Sequence, residues 1–259
     1  MSQKSIAIQA AQIASAIIKK KFGHSVAISA KGNNPRDLVT EVDITAERSI
    51  IKVLKKAYPT YGIIAEESGI NKNKSKSVWV IDPLDGTMNF TRGIPCFSVS
   101  IALVENKRVV LGVVTNPLTN ELYWAENGRG AFLNNKPITV SRTYDFRDAF
   151  ISAEWWSRTP GYRQRGINIF MKLALTNTKL RYISGTAWAL TRVASGRFDV
   201  ETCDTTFLDI AAATLIVQEA GGIVTDDRGQ KIIPFDMSIK RIVATNPYLH
   251  TKILKLING

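Results

Sequence analysis

Histidine and cysteine are scarce in this chain, which has two of each among 259 residues. His24 and His250 stand near the chain ends without the spacing of metal ligands, so neither a Ser-His-Asp triad nor a histidine-phosphatase arrangement can be built. Cys96 and Cys203 are too few for a disulfide framework, and neither is followed by the short loop and arginine of a cysteine phosphatase. Both cysteines are therefore expected to be reduced thiols.

Long apolar runs and nucleotide-binding motifs are also missing. No stretch of the sequence approaches the roughly 20 apolar residues that span a bilayer. Neither a glycine-rich nucleotide fingerprint nor a P-loop occurs. The first 21 residues alternate apolar and polar positions at helical spacing, unlike a signal peptide. These absences predict a soluble cytoplasmic protein with no membrane partner.

Acidic residues are outnumbered by basic ones, and the formal net charge is +12. Such a charge attracts anions, either phosphorylated metabolites or nucleic acid. The lysines at 19–21 and 55–56 fall in different predicted elements and form no single stripe with interleaved aromatic residues. Basic residues spread over solvated faces are the better explanation, and a nucleic-acid partner is not expected.

What the sequence does have is acids at the ends of predicted elements. Residues 78–81 form a short apolar run, and Asp82, Pro83 and Asp85 follow it closely. Two carboxylates leaving one buried strand repel each other and lose their hydration, so a cation between them is expected. Carboxylate and carbonyl oxygens are the ligands that magnesium prefers. This stretch is a candidate magnesium site at the edge of a sheet.

Further acids allow two interpretations. Glu66 and Glu67 follow a predicted short strand, while Asp43 and Asp209 stand at the starts of predicted helices. Aspartate is a common N-cap, so each of the two aspartates alone is more often a cap than a ligand. The residues themselves leave both interpretations open, but so many acids at element ends favour a shared site.

Hydrophobic spacing divides the chain into helices and strands. It predicts helices at 2–22, 44–58, 164–175, 187–194, 207–220 and 247–257, and strands at 62–65, 78–81, 97–105, 109–115, 121–125, 149–153 and 242–244. Short turns join the strands between 97 and 125, which predicts an antiparallel series. The strand at 78–81 is expected to end before this series, with a break in the chain at Pro83. The expected fold class is α+β or α/β with sheets and helices in layers. We expect two halves: 1–140, with the antiparallel sheet and most candidate ligands, and 141–259, with Asp209.

Four segments resemble signatures of the inositol monophosphatase family. They are WVIDPLDGTMNF at 79–90, LDIAAA at 208–213 running on to EAGG at 219–222, DLVTEVD at 37–43 and AEES at 65–68. The segments occur in the family's order, and the resemblance extends over essentially the whole chain. It implies the layered α-β-α-β-α sandwich of the inositol monophosphatase and fructose-1,6-bisphosphatase type, and a homodimer.

The resemblance also implies a role for each acid. Two or three magnesium ions would be held by Glu66, Asp82, the carbonyl of Leu84, Asp85 and Asp209. Asp43 and Thr87 would orient the attacking water, and Glu67 is a further catalytic candidate. Phosphate hydrolysis needs an activated water and positive charge on the phosphoryl oxygens, and magnesium supplies both. The amides of Gly86 and Thr87 would hold the phosphate, with glycine needed so that the backbone approaches it closely.

The substrate wall is where the chain departs from the family. The segment SGTA at 184–187 resembles the family's wall and implies contacts from Gly185 and Ala187. Leu208 stands where the family usually has tryptophan. Thr202 stands where many inositol-specific members have a glutamate, with Glu201 and Asp204 beside it. Glu201 and Arg181 are our candidate substrate contacts. Nearby cations allow either solvated charge or a second phosphate site; they are Arg163, Arg165, Lys179 and Arg181.

The implied activity is magnesium-dependent hydrolysis of phosphate monoesters of polyols or sugars, such as inositol 1-phosphate or fructose 1,6-bisphosphate. One alternative is a 3'-phosphoadenosine 5'-phosphate phosphatase. Another, favoured by the basic charge, is a non-catalytic protein that binds RNA or a transcription complex on the same fold. A haloacid-dehalogenase-type phosphatase fits poorly, because its two aspartates need one residue between them, whereas Asp82 and Asp85 are separated by two. The intact set of acids favours an enzyme over a binder.

Overall fold

The computed structural model describes residues 1–31, 34–71, 75–155, 160–177, 179–238 and 240–259. Its helices are α1 (Gln3–Lys21), α2 (Glu41–Ala57), α3 (Thr87–Thr91), α4 (Pro160–Thr176), α5 (Thr186–Ala194), α6 (Phe207–Glu219) and α7 (His250–Asn258). The strands of the first half are β1 (Ile28–Lys31), β2 (Asn34–Thr40), β3 (Gly62–Ala65), β4 (Gly69–Asn71), β5 (Ser77–Asp85), β6 (Ser98–Glu105), β7 (Arg108–Asn116), β8 (Glu121–Glu126), β9 (Ala131–Leu133) and β10 (Lys136–Ile138). Those of the second half are β11 (Ile151–Ala153), β12 (Leu180–Arg181), β13 (Val200–Thr205), β14 (Ile223–Asp226) and β15 (Lys240–Thr245).

The strands form two main sheets and a separate β1–β2 hairpin. The larger sheet has the order β10-β9-β8-β7-β6-β5-β3-β4 and is antiparallel except for the parallel pair β3–β5. The smaller sheet has the order β12-β11-β13-β15-β14, with parallel pairing of β11 to both of its neighbours. The antiparallel series predicted between residues 97 and 125 is confirmed as β6, β7 and β8. The hairpins β1–β2 and β9–β10 were not predicted.

The helices alternate with the sheets in five layers. Helices α1 and α2 cover one face of the larger sheet, and α5 and α6 pack between the two sheets. Helices α4 and α7 pack together over the other face of the smaller sheet. This confirms the layered α-β-α-β-α order. The division at residue 140 stays a prediction, since the apolar cluster around α5 and α6 draws residues from both halves.

Helix α6 lies at the centre because it is apolar on nearly every side. Most of its residues from Phe207 to Val217 are buried, as expected of a helix between two sheets. It approaches β7 so closely that a Cβ on Gly112 would lie 2.4 Å from the Ala212 carbonyl oxygen. Glycine at this position therefore sets how near the middle of α6 comes to the larger sheet.

Helix α1 forms as its sequence spacing predicts. Ser2 caps it, and the buried positions recur every three or four residues: Ile6, Ala7, Ala10, Ala11, Ala14 and Ile18. Within the described residues, no helix combines the length and the apolar character needed to cross a membrane.

Candidate active site

A β-bulge places Asp82 and Asp85 on the same face of the larger sheet. Successive side chains of a strand point to opposite faces, so positions three apart normally diverge. Asp82 pairs with Ser100 and Asp85 with Ser98, so β5 has one residue more than β6 between these pairs. The extra residue restores a common face for the two aspartates. The break expected at Pro83 is wrong: β5 continues through it as this bulge.

Parallel pairing brings Glu66 beside Asp82. Strand β3 ends at Ala65, which pairs with Ile81, and the Glu66 amide donates to the Ile81 carbonyl at 3.2 Å. Glu47 on α2 holds the turn that follows. Its two carboxylate oxygens accept the amides of Glu67 at 2.7 Å and Ser68 at 2.8 Å.

Glu47 was not identified from the sequence, although it stands one helical turn after Asp43. It is 2% exposed. The signal that could have found it is a charged residue on the apolar side of α2, next to the buried Ala46 and Ile50. The contact of Glu67 with this carboxylate is through its backbone, and the catalytic role of its side chain stays a prediction.

Helix α2 begins with a capping box that also carries a site residue. Asp43 Oδ2 accepts the amide of Thr40 at 2.8 Å and its hydroxyl at 2.5 Å. Asp43 Oδ1 lies 2.8 Å from Thr87 Oγ1, which is also 3.0 Å from the Leu84 carbonyl oxygen. Both oxygens of the fully buried Asp43 are thus occupied by threonine donors. The structure brings together the predicted Asp43–Thr87 pair. The N-cap expected at Asp43 is wrong: Thr40 is the N-cap of α2, and Asp43 completes the capping box from the first turn.

Helix α6 begins with the same arrangement. Asp209 accepts the Thr206 amide at 3.0 Å and the hydroxyls of Thr205 at 2.9 Å and Thr206 at 3.1 Å. All three bonds go to Oδ2. Among the described residues, Asp209 Oδ1 receives no hydrogen bond, and the charge of Asp209 raises the pKa values of Asp82 and Asp85 on β5.

The charges of these acids act on one another. The pKa of Asp82 is raised well above its ordinary value, first by burial and then by the charges of Glu66, Asp85 and Asp209. Burial raises the pKa of Asp85 to about 7, against the opposing hydrogen bonds of the Trp188 amide and the Ser98 hydroxyl. Within the described ranges, no three acidic, histidine or cysteine side chains are already gathered around one ion position. The acids are thus close enough to repel, without forming a finished coordination shell.

Two glycines close the site by packing against one carbonyl. A Cβ on Gly86 or on Gly185 would lie 2.9 Å from the Cys96 carbonyl oxygen, and both residues have φ of +90°. Asn89 Nδ2 donates to the same carbonyl at 2.8 Å and lies 3.2 Å from the Ser184 carbonyl oxygen. The need for Gly86 therefore comes from this close packing and its left-handed backbone. The expected close approach of the Gly86 backbone to phosphate stays a prediction.

The predicted substrate wall is at the site, at the start of α5. Gly185 is the N-cap of α5, and the Trp188 amide of its first turn donates to Asp85 Oδ2 at 3.1 Å. Ala187, between them, is fully buried. The wall is therefore fixed directly to one of the acids.

Glu201 and the nearby cations are placed differently from the expectations. Glu201 has no exposed surface, because β13 runs inside the smaller sheet between β11 and β15. This corrects its expected role: it influences a substrate only through its neighbours. Arg181 is exposed, with its guanidinium 5.1 Å from the Phe150 ring. Arg165 is paired with Asp227 at 2.7 Å and Lys179 with Asp148 at 3.6 Å. These three cations do not converge on a second phosphate site.

Comparison with known proteins identifies relatives over the whole chain. The family model described as "Inositol monophosphatase family" matches residues 2–259. The chain is 36% identical to fructose-1,6-bisphosphatase/inositol-1-monophosphatase of Thermotoga maritima, over 92% of each chain. It is 38% identical to Nus factor SuhB of Salmonella typhimurium, over 93% of this chain and 90% of the relative.

Solved structures share the fold at similar identity. The extragenic suppressor protein suhB from Bartonella henselae has a TM-score of 0.92 at 35% identity, covering 99% of this chain and 98% of that one. An inositol monophosphatase of Thermotoga maritima has a TM-score of 0.89 at 33% identity, covering 100% of this chain and 97% of that one. The layered architecture described above is therefore shared with proteins of both names.

Proposed function

The chain belongs to the inositol monophosphatase family, and from that premise we propose that it is a magnesium-dependent phosphatase that hydrolyses phosphate monoesters of polyols or sugars. The observation that carries the proposal is the set of four mutually repelling acids beside an oriented Thr87–Asp43 pair. Inositol 1-phosphate and fructose 1,6-bisphosphate are the substrates to test. The homodimer and the cytoplasmic location stay predictions.

The donor set fits a hard divalent cation. Glu66, Asp82, Asp85 and Asp209 offer carboxylate oxygens, and the Leu84 carbonyl adds another oxygen. The raised pKa of Asp82 and Asp85 means that their negative charges are insufficiently compensated by the protein. In the described part of the chain, no ion pair between these two aspartates and a lysine or arginine is found. Oxygen-only donors suit magnesium, and two or three ions are proposed.

The protein's own residues prepare the attack of water on the phosphorus. Bound magnesium would activate the water and offset charge on the phosphoryl oxygens. The Thr87 hydroxyl has one proton, which it donates to Asp43 or to the Leu84 carbonyl, so its oxygen can accept a hydrogen bond from the water. The amides of Gly86 and Thr87 are proposed to bind the phosphate, with donors that need no rearrangement during the reaction.

Phosphate release from a panel of substrates tests this proposal. The panel is inositol 1-phosphate, fructose 1,6-bisphosphate, glucose 1-phosphate and 3'-phosphoadenosine 5'-phosphate, each assayed with magnesium, with calcium and with excess chelator. Activity should require magnesium, and calcium should substitute poorly, because its larger and looser oxygen shell alters the position of the water. Full activity with chelator would exclude the metal mechanism. A preference for the adenosine bisphosphate would select the alternative phosphatase.

A second candidate function is supported by some of the relatives. Several carry the name Nus factor SuhB, and the net charge of +12 suits an anionic partner. The candidate is a protein that binds RNA or a transcription complex. Fluorescence anisotropy with a labelled RNA at several salt concentrations tests it. Tight, salt-dependent binding by a protein that releases no phosphate from the panel would favour this function over catalysis.

A further inference from the structure

The backbone of Glu154 is fixed on both sides. Glu154 directly follows β11, and its amide donates to the Thr202 carbonyl at 2.8 Å. Its carbonyl accepts from Arg241 Nη1 at 2.7 Å. Arg241 in turn forms a buried ion pair with Asp204, at 2.9 Å. The direction of the Glu154 side chain is therefore set by the smaller sheet and not by the side chain's own preferences.

The carboxylate of Glu154 lacks a full set of partners. The residue is 9% exposed, and Glu154 Oε1 has no hydrogen bond to any part of the chain that the structure describes. Buried carboxylate oxygens are normally hydrogen-bonded, because an unmet acceptor loses its hydration without compensation. Arg241 is nearby: its Nη1 donates to the Glu154 backbone carbonyl and its Nε pairs with Asp204, while its Nη2 makes no hydrogen bond to Glu154 Oε1. An acceptor of this kind indicates a ligand that donates a hydrogen bond.

The substrate wall connects this carboxylate to the acids on β5. The Ser184 amide hydrogen-bonds the Glu154 carboxylate, and the next residue, Gly185, would place a Cβ 3.7 Å from Asp85 Oδ2. Both wall residues have positive φ, +64° at Ser184 and +90° at Gly185. A serine in this region is strained, and such strain is held where the surrounding structure requires that backbone. Two successive left-handed residues thus join Glu154 to Asp85.

Electrostatics agrees with this placement. Burial, followed by the charge of Asp85, raises the pKa of Glu154 to about 7, while Arg241 and the Ser184 amide oppose the shift. Among neighbouring charges, that of Asp85 raises the pKa of Glu154 most, which agrees with the short path from Ser184 through Gly185 to Asp85.

An exposed pair of aromatic rings includes Trp155, the residue that follows Glu154 in the sequence. Trp155 and Tyr182 are 37% and 42% exposed, with ring centroids 5.7 Å apart. Such a pair offers an apolar surface to the ring of a sugar or cyclitol. Of the four cations considered for a second phosphate, Arg165 and Lys179 are paired with acids, and Arg181 lies 5.1 Å from the Phe150 ring. The surroundings therefore favour a neutral, hydroxyl-bearing group over an anionic one.

Resting on the proposed function, we propose that Glu154 determines substrate specificity. Glu154 Oε1 accepts a hydrogen bond from a hydroxyl of the leaving group, and the negative charge of the carboxylate disfavours a second phosphate. The favoured substrates are monophosphates of neutral, hydroxyl-rich rings. Glu154 acts as a binding residue and takes no part in the attack on phosphorus.

The test compares three substrates that differ in the leaving group. Inositol 1-phosphate offers hydroxyls, fructose 1,6-bisphosphate offers hydroxyls with a second phosphate, and p-nitrophenyl phosphate offers neither. The variants are Glu154→Ala and Glu154→Gln, the latter preserving the shape of the side chain. The control is Glu126→Gln, which removes a surface carboxylate that pairs with Lys4 at 3.3 Å. Melting temperatures are measured for every variant to confirm folding.

We expect Glu154→Ala to lower kcat/KM for inositol 1-phosphate by at least about tenfold, the loss typical of a hydrogen bond to a charged group. The value for p-nitrophenyl phosphate should stay within about twofold, and the ratio of fructose bisphosphate to inositol phosphate should rise in both variants. Equal losses on all three substrates, or an unchanged ratio in folded variants, would overturn the inference while leaving the proposed function intact. A wild-type protein inactive on all three substrates would overturn both.

Discussion

Helices α2 and α6 begin with the same four-residue pattern and put it to different uses. In each, an aspartate in the first turn accepts the amide of the threonine three residues before it, Thr40 for Asp43 and Thr206 for Asp209. Asp43 is fully buried, and its second oxygen is taken by Thr87. Asp209 is partly exposed, and among the described residues its second oxygen has no hydrogen-bond donor.

The difference shows that a cap residue becomes a site residue through its second oxygen. The capping bond fixes the carboxylate at the helix start, where the helix dipole also favours a negative charge. What the remaining oxygen faces then decides its chemistry. Under the proposed function, the hydroxyl beside Asp43 would give a pair that orients water, whereas the acids near Asp209 would give a position for a cation.

Exchanging each aspartate for asparagine should separate the two roles most strongly. Asp209→Asn should lose at least about a hundredfold in kcat, the scale of losing a group that stabilises transition-state charge. It should also lose most of the rise in melting temperature that magnesium causes, whereas Asp43→Asn should lose activity and keep that rise. Kinetics and thermal unfolding with and without magnesium measure both effects. If magnesium raised the melting temperature of Asp209→Asn and Asp43→Asn by the same amount, the two capping boxes would not differ as described.

Removing the hydroxyl beside Asp43 tests the water-orienting half of the comparison. Thr87→Ala should lower kcat by about ten- to a hundredfold and leave KM nearly unchanged, because orientation of water matters mainly in the transition state. Thr87→Ser keeps the hydroxyl and serves as the matched control. Thr205→Ala removes a hydroxyl from the other box and should have a much smaller effect. A loss confined to KM in Thr87→Ala would reject the role.

Glu47, also on α2, caps no helix but accepts the amides of the turn that follows β3. Glu47→Gln replaces an acceptor of two partly buried amides by a group that can accept only one, which should lower the free energy of unfolding by about 1–3 kcal/mol. Because the turn it holds follows Glu66 directly, the magnesium concentration for half-maximal activity should rise several-fold. Denaturant unfolding and magnesium titrations measure these changes. The surface variant Glu126→Gln should change stability little, and equal effects in the two variants would argue against the support role.

The buried acids with raised pKa values should give the metal-free protein an unusual pH dependence. Asp85 and Glu154 have pKa values raised to about 7, so the folded state keeps protons that the unfolded chain loses near pH 4. Stability should therefore be greatest at low pH and should fall as pH rises from about 4 to about 7. A drop of a few degrees in melting temperature is expected, and magnesium should reduce or reverse it.

Asp85→Asn should flatten this slope, because it removes one of the shifted groups. Glu126→Gln, far from the cluster, should leave the slope unchanged. A metal-free protein that becomes more stable between pH 5 and pH 8 would contradict the electrostatic picture of the cluster.

Local sequence patterns predicted most of the helices and strands, but less of the pairing between strands. The helices and the antiparallel series were found because apolar spacing and turn residues act over a few positions. The short strands β1, β2, β9 and β10 were missed, since strands of this kind depend on pairing partners more than on their own residues. Pro83 was misinterpreted for the same reason: whether proline ends a strand or forms a bulge depends on the neighbouring strand.

The candidate site shows the same division. Asp43 and Asp209 were found as acids at predicted helix starts, where capping rules apply locally, whereas Thr87 was identified only through the resemblance of residues 79–90 to a family signature. Glu47 and Glu154 could not be identified, because nothing near them in the sequence shows which amides the first would bind or that the second would be left without a donor.

The sequence by itself determined which acids, threonines and glycines are available, and where the main helices begin. Only the tertiary structure decided that Asp82 and Asp85 share a face, that Glu66 lies beside them, and that the wall connects Glu154 to Asp85. The features that the sequence determined follow from residue identity and from interactions within a few residues. Those that the tertiary structure decided depend on the bulge opposite β6, the parallel pairing of β3 with β5, and the packing of α5 between two sheets. These contacts join residues far apart in the chain, so no local pattern specifies them.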